Sequence, residues 1–280
     1  MSVDGIKAAP GDPPFPEVGV RRFGRVNWLG VWTLYRKEVM RFVKVGGQTI
    51  AAPIANAILF FFIFTQVFGE SRADVSAAVD YATFIAPGLI MMGIIQNAFA
   101  NSTSSLMISK VQGSLVDVLM PPLSPGELTF CFVAGGATRG VVVAVLTACG
   151  MSLFGVDMLP VHFFAAVFFG VGASILLALV GLLAGIWAEK FDHVATITNF
   201  VIVPLSMLSG TFYSITMLGG VWVEISQWNP FFYLIDGFRY GMIGHADGSP
   251  AIGVAVVLGL NIALILIAHR LFTIGYRLKA

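Results

Sequence analysis

Charged side chains are scarce in this sequence. Asp, Glu, Lys and Arg together make up 11% of its 280 residues, whereas soluble domains carry about a quarter. Apolar residues reach 57% and the mean hydropathy is +0.87, so the composition excludes an ordinary soluble domain and predicts a polytopic membrane protein. The net charge of +1, without a basic stripe interleaved with aromatic residues, argues against nucleic acid as a partner.

Sequence motifs for catalysis and nucleotide binding are lacking as well. The sequence contains no G-x-x-x-x-G-K-[ST] and no Gly-Lys pair, so it cannot hold nucleotide phosphates through a P-loop. It has no G-x-S-x-G or H-E-x-x-H motif, and its four histidines show no metal-ligand spacing. We therefore expect no catalytic residue, no metal site and no cofactor bound by this chain.

Six apolar stretches are long enough to cross a hydrocarbon core of about 30 Å as helices. They predict an all-α integral membrane protein whose spans lie at 49–69, 82–102, 130–156, 160–187, 196–218 and 250–272. We expect residues 1–25 to form a disordered tail and residues 26–280 to form the six-span domain. The predicted spans contain no clear Asp or Glu, which disfavours proton-coupled or sodium-coupled transport.

The distribution of basic residues predicts the orientation in the membrane. Eight of the sixteen Lys and Arg residues precede the first span, and the segments after the first, third and fifth spans hold few. By the positive-inside rule, both termini and the loop after the second span are cytoplasmic. Residues 69–80 and 219–248 are then outside, and the location is the plasma membrane, the inner membrane of a bacterium.

A helical pattern precedes the first span. Apolar and basic side chains project from opposite faces of this segment: Trp28, Trp32, Tyr35, Val39 and Phe42 on one, and Lys37, Arg41 and Lys44 on the other. This pattern predicts an interfacial amphipathic helix, with aromatic rings at the acyl boundary and cations toward water and anionic head groups. The helix either anchors the chain to lipid or also contacts a cytoplasmic partner, and the two roles are compatible.

The loop after the second span reads QGSLVDVLMPPLSPGEL, residues 112–128. Its first half predicts a short helix that Pro121 and Pro122 end, because proline lacks the N–H group and clashes with the preceding turn. Ser124, Pro125 and Glu127 then predict the start of a new helix with a capping box. The loop is either a rigid rod that transmits movement or simply a well-capped connection.

The segment 219–248 is too apolar for a solvated loop, and Asn229 and Pro230 interrupt it too strongly for a span. It predicts a pair of re-entrant helices before the last span, because non-helical backbone at membrane depth must be buried in protein or line a wet cavity. Asp236 and Arg239 can pair on one helix face. A flat interfacial segment with an aromatic belt is the alternative.

Arg139 is the one charge near the middle of a predicted span. Burying it costs at least about 2.5 kcal/mol on insertion scales, so it should face the bundle and find polar partners. Candidate partners on the second span are Gln96, Asn97 and Asn101. We expect a structural role for this buried charge, and contact with a transported substrate is the alternative.

Three motifs follow one another along the chain: QGSLVDVLMPPLSPGEL at 112–128, GTFYS at 210–214 and NPFFYLIDGFRYG at 229–241. Together with the six spans, this order of motifs resembles the ABC-2 type permeases. These are the membrane subunits of ATP-binding cassette exporters. The resemblance implies that the first cytoplasmic loop forms a coupling helix docked on a separate ATPase subunit, which is present in two copies and binds ATP and Mg. The residues of this chain expected to contact the ATPase are Lys110, Gln112, Gly113, Ser114 and Asp117.

The resemblance further implies a second permease chain, in a homodimer or a heterodimer, around a path lined by the first, second and fifth spans. The candidate path residues are Phe60, Phe61, Phe64, Gln96, Asn97, Asn199, Phe212 and Tyr213. Export of a glycan, a lipid or a hydrophobic drug is the implied function. The alternative is a membrane-embedded enzyme or assembly factor without an ATPase partner, which would need polar residues clustered at one membrane face.

Overall fold

The computed structural model describes residues 26–68 and 80–277, and all regular structure in these ranges is helical. The helices are α1 (Trp28–Lys44), α2 (Ala52–Phe68), α3 (Tyr81–Val111), α4 (Leu115–Leu119), α5 (Pro125–Ser152), α6 (Phe163–Trp187), α7 (Phe191–Ile197), α8 (Val203–Leu208), α9 (Val221–Trp228), α10 (Pro230–Ile243) and α11 (Pro250–Ile274). π-Helical turns at Gly47–Ala51 and Thr198–Ile202 lead into α2 and α8. The predicted tail at 1–25 and most of the first outer loop lie outside the described residues.

Six helical segments are long and apolar enough to cross a membrane, which confirms the predicted all-α, six-span fold. They are Gly47–Val67, Tyr81–Val111, Pro125–Ser152, Phe163–Trp187, Phe191–Leu208 and Pro250–Ile274. Four of the six lie close to the predicted stretches, and the second continues to Val111, beyond its predicted end at residue 102. The fifth differs, because it ends at Leu208 and not at residue 218.

Helix α3 forms the centre of the bundle. It packs most extensively against α6 and α5 and also contacts α2 and α10. Glycines permit the close approach of these helices: a Cβ on Gly181 of α6 would overlap the carbonyl oxygen of Phe99, and one on Gly136 of α5 would overlap the hydroxyl of Ser102. Such small residues allow helices to pack closely in a membrane, where van der Waals contact rather than water expulsion holds them together.

The other spans are peripheral. In the most apolar stretch of α3, 72% of the residues are buried. In the equivalent stretches of the first, fifth and last spans, only 11%, 11% and 17% of the residues are buried. Most of the surface of these three spans is therefore left for lipid or for another protein chain.

The early end of the fifth span follows from a buried turn at 209–214. Gly210 adopts a left-handed conformation with φ of 78°, which breaks the helix despite the apolar residues that follow. The turn is held from two other helices: the Tyr81 hydroxyl donates to the carbonyl oxygen of Phe212 at 3.1 Å, and Arg239 donates to that of Gly210. Hydropathy alone predicted a longer span because the apolar residues Phe212, Ile215, Met217 and Leu218 lie within and after this turn.

Two helices, α9 and α10, follow this turn, and they meet at Asn229. The Asn229 side chain accepts a hydrogen bond from the N–H of Phe231, and Pro230 occupies the first position of α10. Helix α10 packs against α6, α11 and α3, whereas α9 has one buried residue, Ser226. The two helices occur where the sequence predicted them, and their re-entry into the membrane stays a prediction.

Asp236 and Arg239, whose spacing allows them to pair, form no ion pair with each other in the structure. The Asp236 carboxylate accepts hydrogen bonds from the N–H groups of Asp247 and Gly248, at 2.8 and 3.0 Å. The Arg239 guanidinium lies 4.0 Å from the centre of the Phe84 ring and donates to a backbone carbonyl. Both side chains are buried, and each is satisfied mainly by backbone groups of a neighbouring loop rather than by the other.

Because α3 contacts the 209–214 turn closely, we predict that residue 88 must be glycine. A Cβ on Gly88 would overlap the carbonyl oxygen of Thr211, whereas one on Gly93 of the same helix would be 3.7 Å from its nearest neighbour. We expect Gly88→Ala to destabilise the protein by about 1–3 kcal/mol through overpacking. Gly93→Ala should leave the melting temperature unchanged or raise it, because alanine favours helix. Equal melting temperatures for the two purified variants in detergent would contradict this account.

Candidate functional site

Helix α4 lies in a loop whose two ends are fixed. Leu115 and Val118 are buried and hold α4 against the bundle. Helix α4 ends at Leu119, before the two prolines, as predicted. At the start of α5, the Ser124 hydroxyl accepts from the Glu127 N–H and the Glu127 carboxylate accepts from the Ser124 N–H, which confirms the capping box.

The same glutamate connects this loop to α1. Glu127 Oε1 accepts a hydrogen bond from the N–H of Asn27 at 2.6 Å. The Asn27 side chain in turn accepts from the Gly30 N–H at 3.0 Å and donates to the Pro122 carbonyl oxygen at 3.3 Å. The starts of α1 and α5 and the proline pair after α4 are thus joined in one hydrogen-bonded unit.

The five predicted ATPase contacts differ in accessibility. Gln112, Gly113 and Asp117 are exposed and Ser114 is half-buried. Lys110 is engaged within the chain, since its ammonium group donates to the carbonyl oxygens of Ile186 and Ala188 at the end of α6. With two N–H groups of its ammonium already bonded within the chain, Lys110 has fewer hydrogen-bond donors left for a partner protein.

Sequence reasoning missed two exposed apolar side chains in the loop. Val116 is 51% exposed on α4, and Met120, at the end of α4, is 76% exposed. They adjoin the exposed Asp117. The signal was present in the sequence, because Leu115 and Val118 are three residues apart and Val116 therefore points away from their buried face.

The predicted path residues fall into separate groups. Phe60, Phe64 and Phe212 come together: the Phe64 and Phe212 rings stack with centres 4.6 Å apart, and Phe60 meets Phe212 edge-on at 6.4 Å. The 209–214 turn thereby packs on the aromatic face of α2. Phe61 is buried on α2, and the half-buried Tyr213 donates its hydroxyl to the carbonyl oxygen of Leu208.

The polar path candidates lie apart from this aromatic group. Asn97 is buried on α3 and accepts a hydrogen bond from Arg139 at 2.8 Å, so it is one of the three partners expected for that arginine. Gln96 is half-buried next to it, and Asn199 is exposed in the π-helical turn between α7 and α8.

A buried ion pair on α1 was not predicted. Glu38 is fully buried; it accepts from the Ser105 hydroxyl at 2.8 Å and lies 3.3 Å from Arg41. Arg41 also donates to the backbone and side-chain oxygens of Asn101 and to the Ser104 hydroxyl. The expectation that Arg41 points to water was therefore wrong, because polar groups of α3 bind it inside the bundle.

The sequence did not predict which face of α1 contacts the bundle, because its pattern assigned one face to the acyl boundary and the other to water. The buried residues of α1 are Val31, Leu34, Glu38 and Phe42, whereas Trp28 and Trp32 are 74% and 61% exposed. The spacing of the buried set is helical, but Glu38 interrupts its apolar character. A carboxylate in line with Val31, Leu34 and Phe42 is the signal that could have revealed the ion pair.

Known proteins with similar sequences cover most of this chain. A family model described as "ABC-2 type transporter" matches residues 30–243. The inner membrane transport permease YadH of Escherichia coli (strain K12) is 35% identical over 254 residues, which cover 90% of this chain and 98% of that protein. Nodulation protein J of Neorhizobium galegae is 22% identical over 227 residues, covering 79% of this chain and 83% of that protein.

The buried ion pair predicts that α1 depends on Glu38 for its attachment. Replacing one partner of a fully buried pair costs about 3–5 kcal/mol, and we expect less for Glu38→Gln because Arg41 keeps a quarter of its side chain exposed. Thermal unfolding in detergent should show a clearly lower melting temperature. Glu224→Gln, the same change at an exposed site on α9, is the matched control and should stay within about 0.5 kcal/mol. A Glu38→Gln variant as stable as this control would contradict an anchoring role.

Proposed function

This chain belongs to the ABC-2 type transporter family, and from that premise we propose that it is the permease subunit of an ATP-driven exporter. Permeases of this family work with ATP-binding cassette ATPase partners. In our proposal a separate ATPase, present in two copies, binds ATP and Mg and powers transport. This chain supplies the membrane path and binds no cofactor itself.

The observation that carries the proposal is the exposed surface of the α4 loop. Val116, Asp117 and Met120 are exposed on an element whose other face, Leu115 and Val118, is packed on the bundle. Two exposed apolar side chains beside a carboxylate offer a small amphipathic surface to a partner protein. Gln112, Gly113 and Ser114 adjoin it, so we assign these residues, with Asp117, to the ATPase contact.

The fixed ends of the loop support a role in coupling. A flexible loop would absorb a displacement imposed by the ATPase, but α4 is bounded by the Pro121–Pro122 pair, and α5 starts at a completed capping box. Glu127 also binds the Asn27 N–H. A displacement of α4 would therefore move the starts of α1 and α5 together.

The exposed spans support a dimeric path. Two of the three spans assigned to the path, the first and the fifth, are largely exposed in the single chain. A second permease chain, identical or not, that faced these spans would enclose a path beside the Phe60, Phe64 and Phe212 cluster. Aromatic side chains suit sugars, lipids and hydrophobic drugs, so we propose a glycan, a lipid or a hydrophobic drug as the exported substrate.

The proposal places the protein in the plasma membrane with both termini cytoplasmic. The relative YadH is an inner membrane transport permease by its name, and the excess of basic residues before the first span supports the orientation. Helix α4 then lies on the cytoplasmic side, where an ATPase can reach it. Arg139 contributes a structural link between α5 and α3 through Asn97.

Charge reversal on α4 tests the coupling surface. We expect Asp117→Arg to reduce co-purification of the ATPase and export, because a misplaced charge at an interface costs several kcal/mol. The melting temperature of the permease should stay near the wild-type value, since Asp117 is exposed. Met120→Asp should act in the same direction by placing a charge on the exposed apolar surface.

Asp192→Arg is the matched control for Asp117→Arg. Asp192 is also an exposed carboxylate in the first turn of a short helix, α7, on the same predicted side of the membrane. The Asp192→Arg variant should co-purify with the ATPase as the wild type does. If the two α4 variants bind the ATPase and support export fully, α4 is only a connection; activity without any ATPase would favour the membrane enzyme or assembly factor.

Cysteine labelling of intact cells tests the orientation. The background variant lacks Cys131 and Cys149. Leu153 follows α5 and is 86% exposed, so a cysteine that replaces it should react with an impermeant maleimide added outside the cells. A cysteine at the exposed Gln112 should react only after the cells are opened. The reverse pattern would overturn the topology and, with it, the access of a cytoplasmic ATPase to α4.

A further inference from the structure

Three buried N–H donors at the junction of α1, α3 and α5 have no hydrogen-bond partner within the described residues. They are Arg41 Nε, Asn101 Nδ2 and Arg139 Nε. Asn101 is fully buried and Arg139 is 91% buried. A buried donor without a partner destabilises the fold, and more so when it is charged, so three at one junction require an explanation.

The geometry of α3 brings these donors together. Asn97 and Asn101 are four residues apart, which places them on one face of the helix with Cβ atoms about 5–6 Å apart. Asn97 Oδ1 accepts from Arg139 at 2.8 Å, and Asn101 Oδ1 accepts from Arg41 at 3.0 Å. Each amide therefore fixes one guanidinium group, and the two amides are neighbours on the same face of α3.

The charges at this junction do not balance. Glu38 lies 3.3 Å from Arg41 and compensates that charge. Arg139 forms no ion pair with any carboxylate in the described ranges. The junction thus holds two guanidinium groups and one carboxylate, with a net charge of +1 that is expensive to bury without an anion.

We propose that an oxyanion, the phosphate group of an anionic lipid or a soluble phosphate, binds between Arg41, Asn101 and Arg139. Guanidinium groups present planar N–H donors that match phosphate oxygens, and charge-assisted hydrogen bonds of this kind are the strong ones. The three unpartnered donors supply the contacts, and one negative charge neutralises the junction. This site does not depend on the ATPase proposed above.

The depth of the junction matches a lipid phosphate. Asn101 lies twenty residues after Tyr81, the first residue of α3, which is about 30 Å along the helix. That length equals the thickness of the hydrocarbon core, so Asn101 lies at the far boundary when α3 begins at the other, and Arg139, which contacts Asn97, lies about one turn deeper. Arg41 is the most exposed of the three residues, with 24% of its side chain accessible.

Thermal stability in nanodiscs of defined composition tests the site. The full chain is measured in phosphatidylcholine alone, with added phosphatidylglycerol, and in phosphatidylcholine with inorganic phosphate in the buffer. We expect the anionic lipid to raise the melting temperature by about 2–4 °C, the shift that about 1 kcal/mol gives in a protein of roughly this size. A rise with inorganic phosphate instead would identify a soluble anion as the ligand of the same site.

Two variants and a control distinguish this site from general surface charge. Arg139→Gln should lose the anion-dependent rise, whereas Arg36→Gln, at an exposed position on α1, should keep it. Asn101→Asp places a carboxylate beside Arg41 in the position proposed for the oxyanion. It should melt in pure phosphatidylcholine at or above the wild-type temperature and show no response to either anion.

Several results would overturn the proposal. One is the absence of any rise with either anion, and another is a full rise in Asn101→Asp. Equal loss of the rise in Arg139→Gln and Arg36→Gln would assign the effect to surface charge. If Arg139→Gln fails to fold, the response of Asn101→Asp decides the question.

Discussion

Close contact between α3 and its neighbours is the constraint on which the rest of the structure depends. Helices in lipid gain little from expelling water, so they hold together through tight packing and polar contacts. Glycines at 136 and 181 bring α5 and α6 onto α3, and Gly88 admits the backbone of the 209–214 turn. Buried polar side chains of α1 and α5 then form hydrogen bonds with α3, at Asn97, Asn101 and Ser105.

Helix α3 contacts different parts of the structure at its start, its middle and its end. Near its start, Tyr81 and Phe84 contact the backbone of the 209–214 turn and the Arg239 guanidinium. Farther along, its amides and hydroxyls bind the arginines of α5 and α1, and at its end Lys110 binds the carbonyl oxygens that end α6. One helix therefore contacts the aromatic cluster, the proposed oxyanion site and the loop proposed to meet the ATPase.

Local properties of the chain were predictable, and tertiary ones were not. Apolar length placed four spans, and Ser124, Pro125 and Glu127 predicted the start of α5, because hydropathy and capping depend on neighbouring residues. The end of the fifth span was missed because the 209–214 turn is buried in protein and apolar residues continue after it. The Glu38–Arg41 pair was missed because hydropathy cannot tell whether a side chain of α1 faces water or α3. Arg139 and Asn97 were proposed as partners since a charge at depth has few polar neighbours.

Glu127 has a consequence for how the chain can bend. Its two carboxylate oxygens accept from N–H groups of Ser124 and Asn27, which are nearly a hundred residues apart in sequence. Neither helix start can tilt alone without breaking one of these short bonds. The starts of α1 and α5 are therefore joined through a single side chain, in addition to the packing of the two helices against each other.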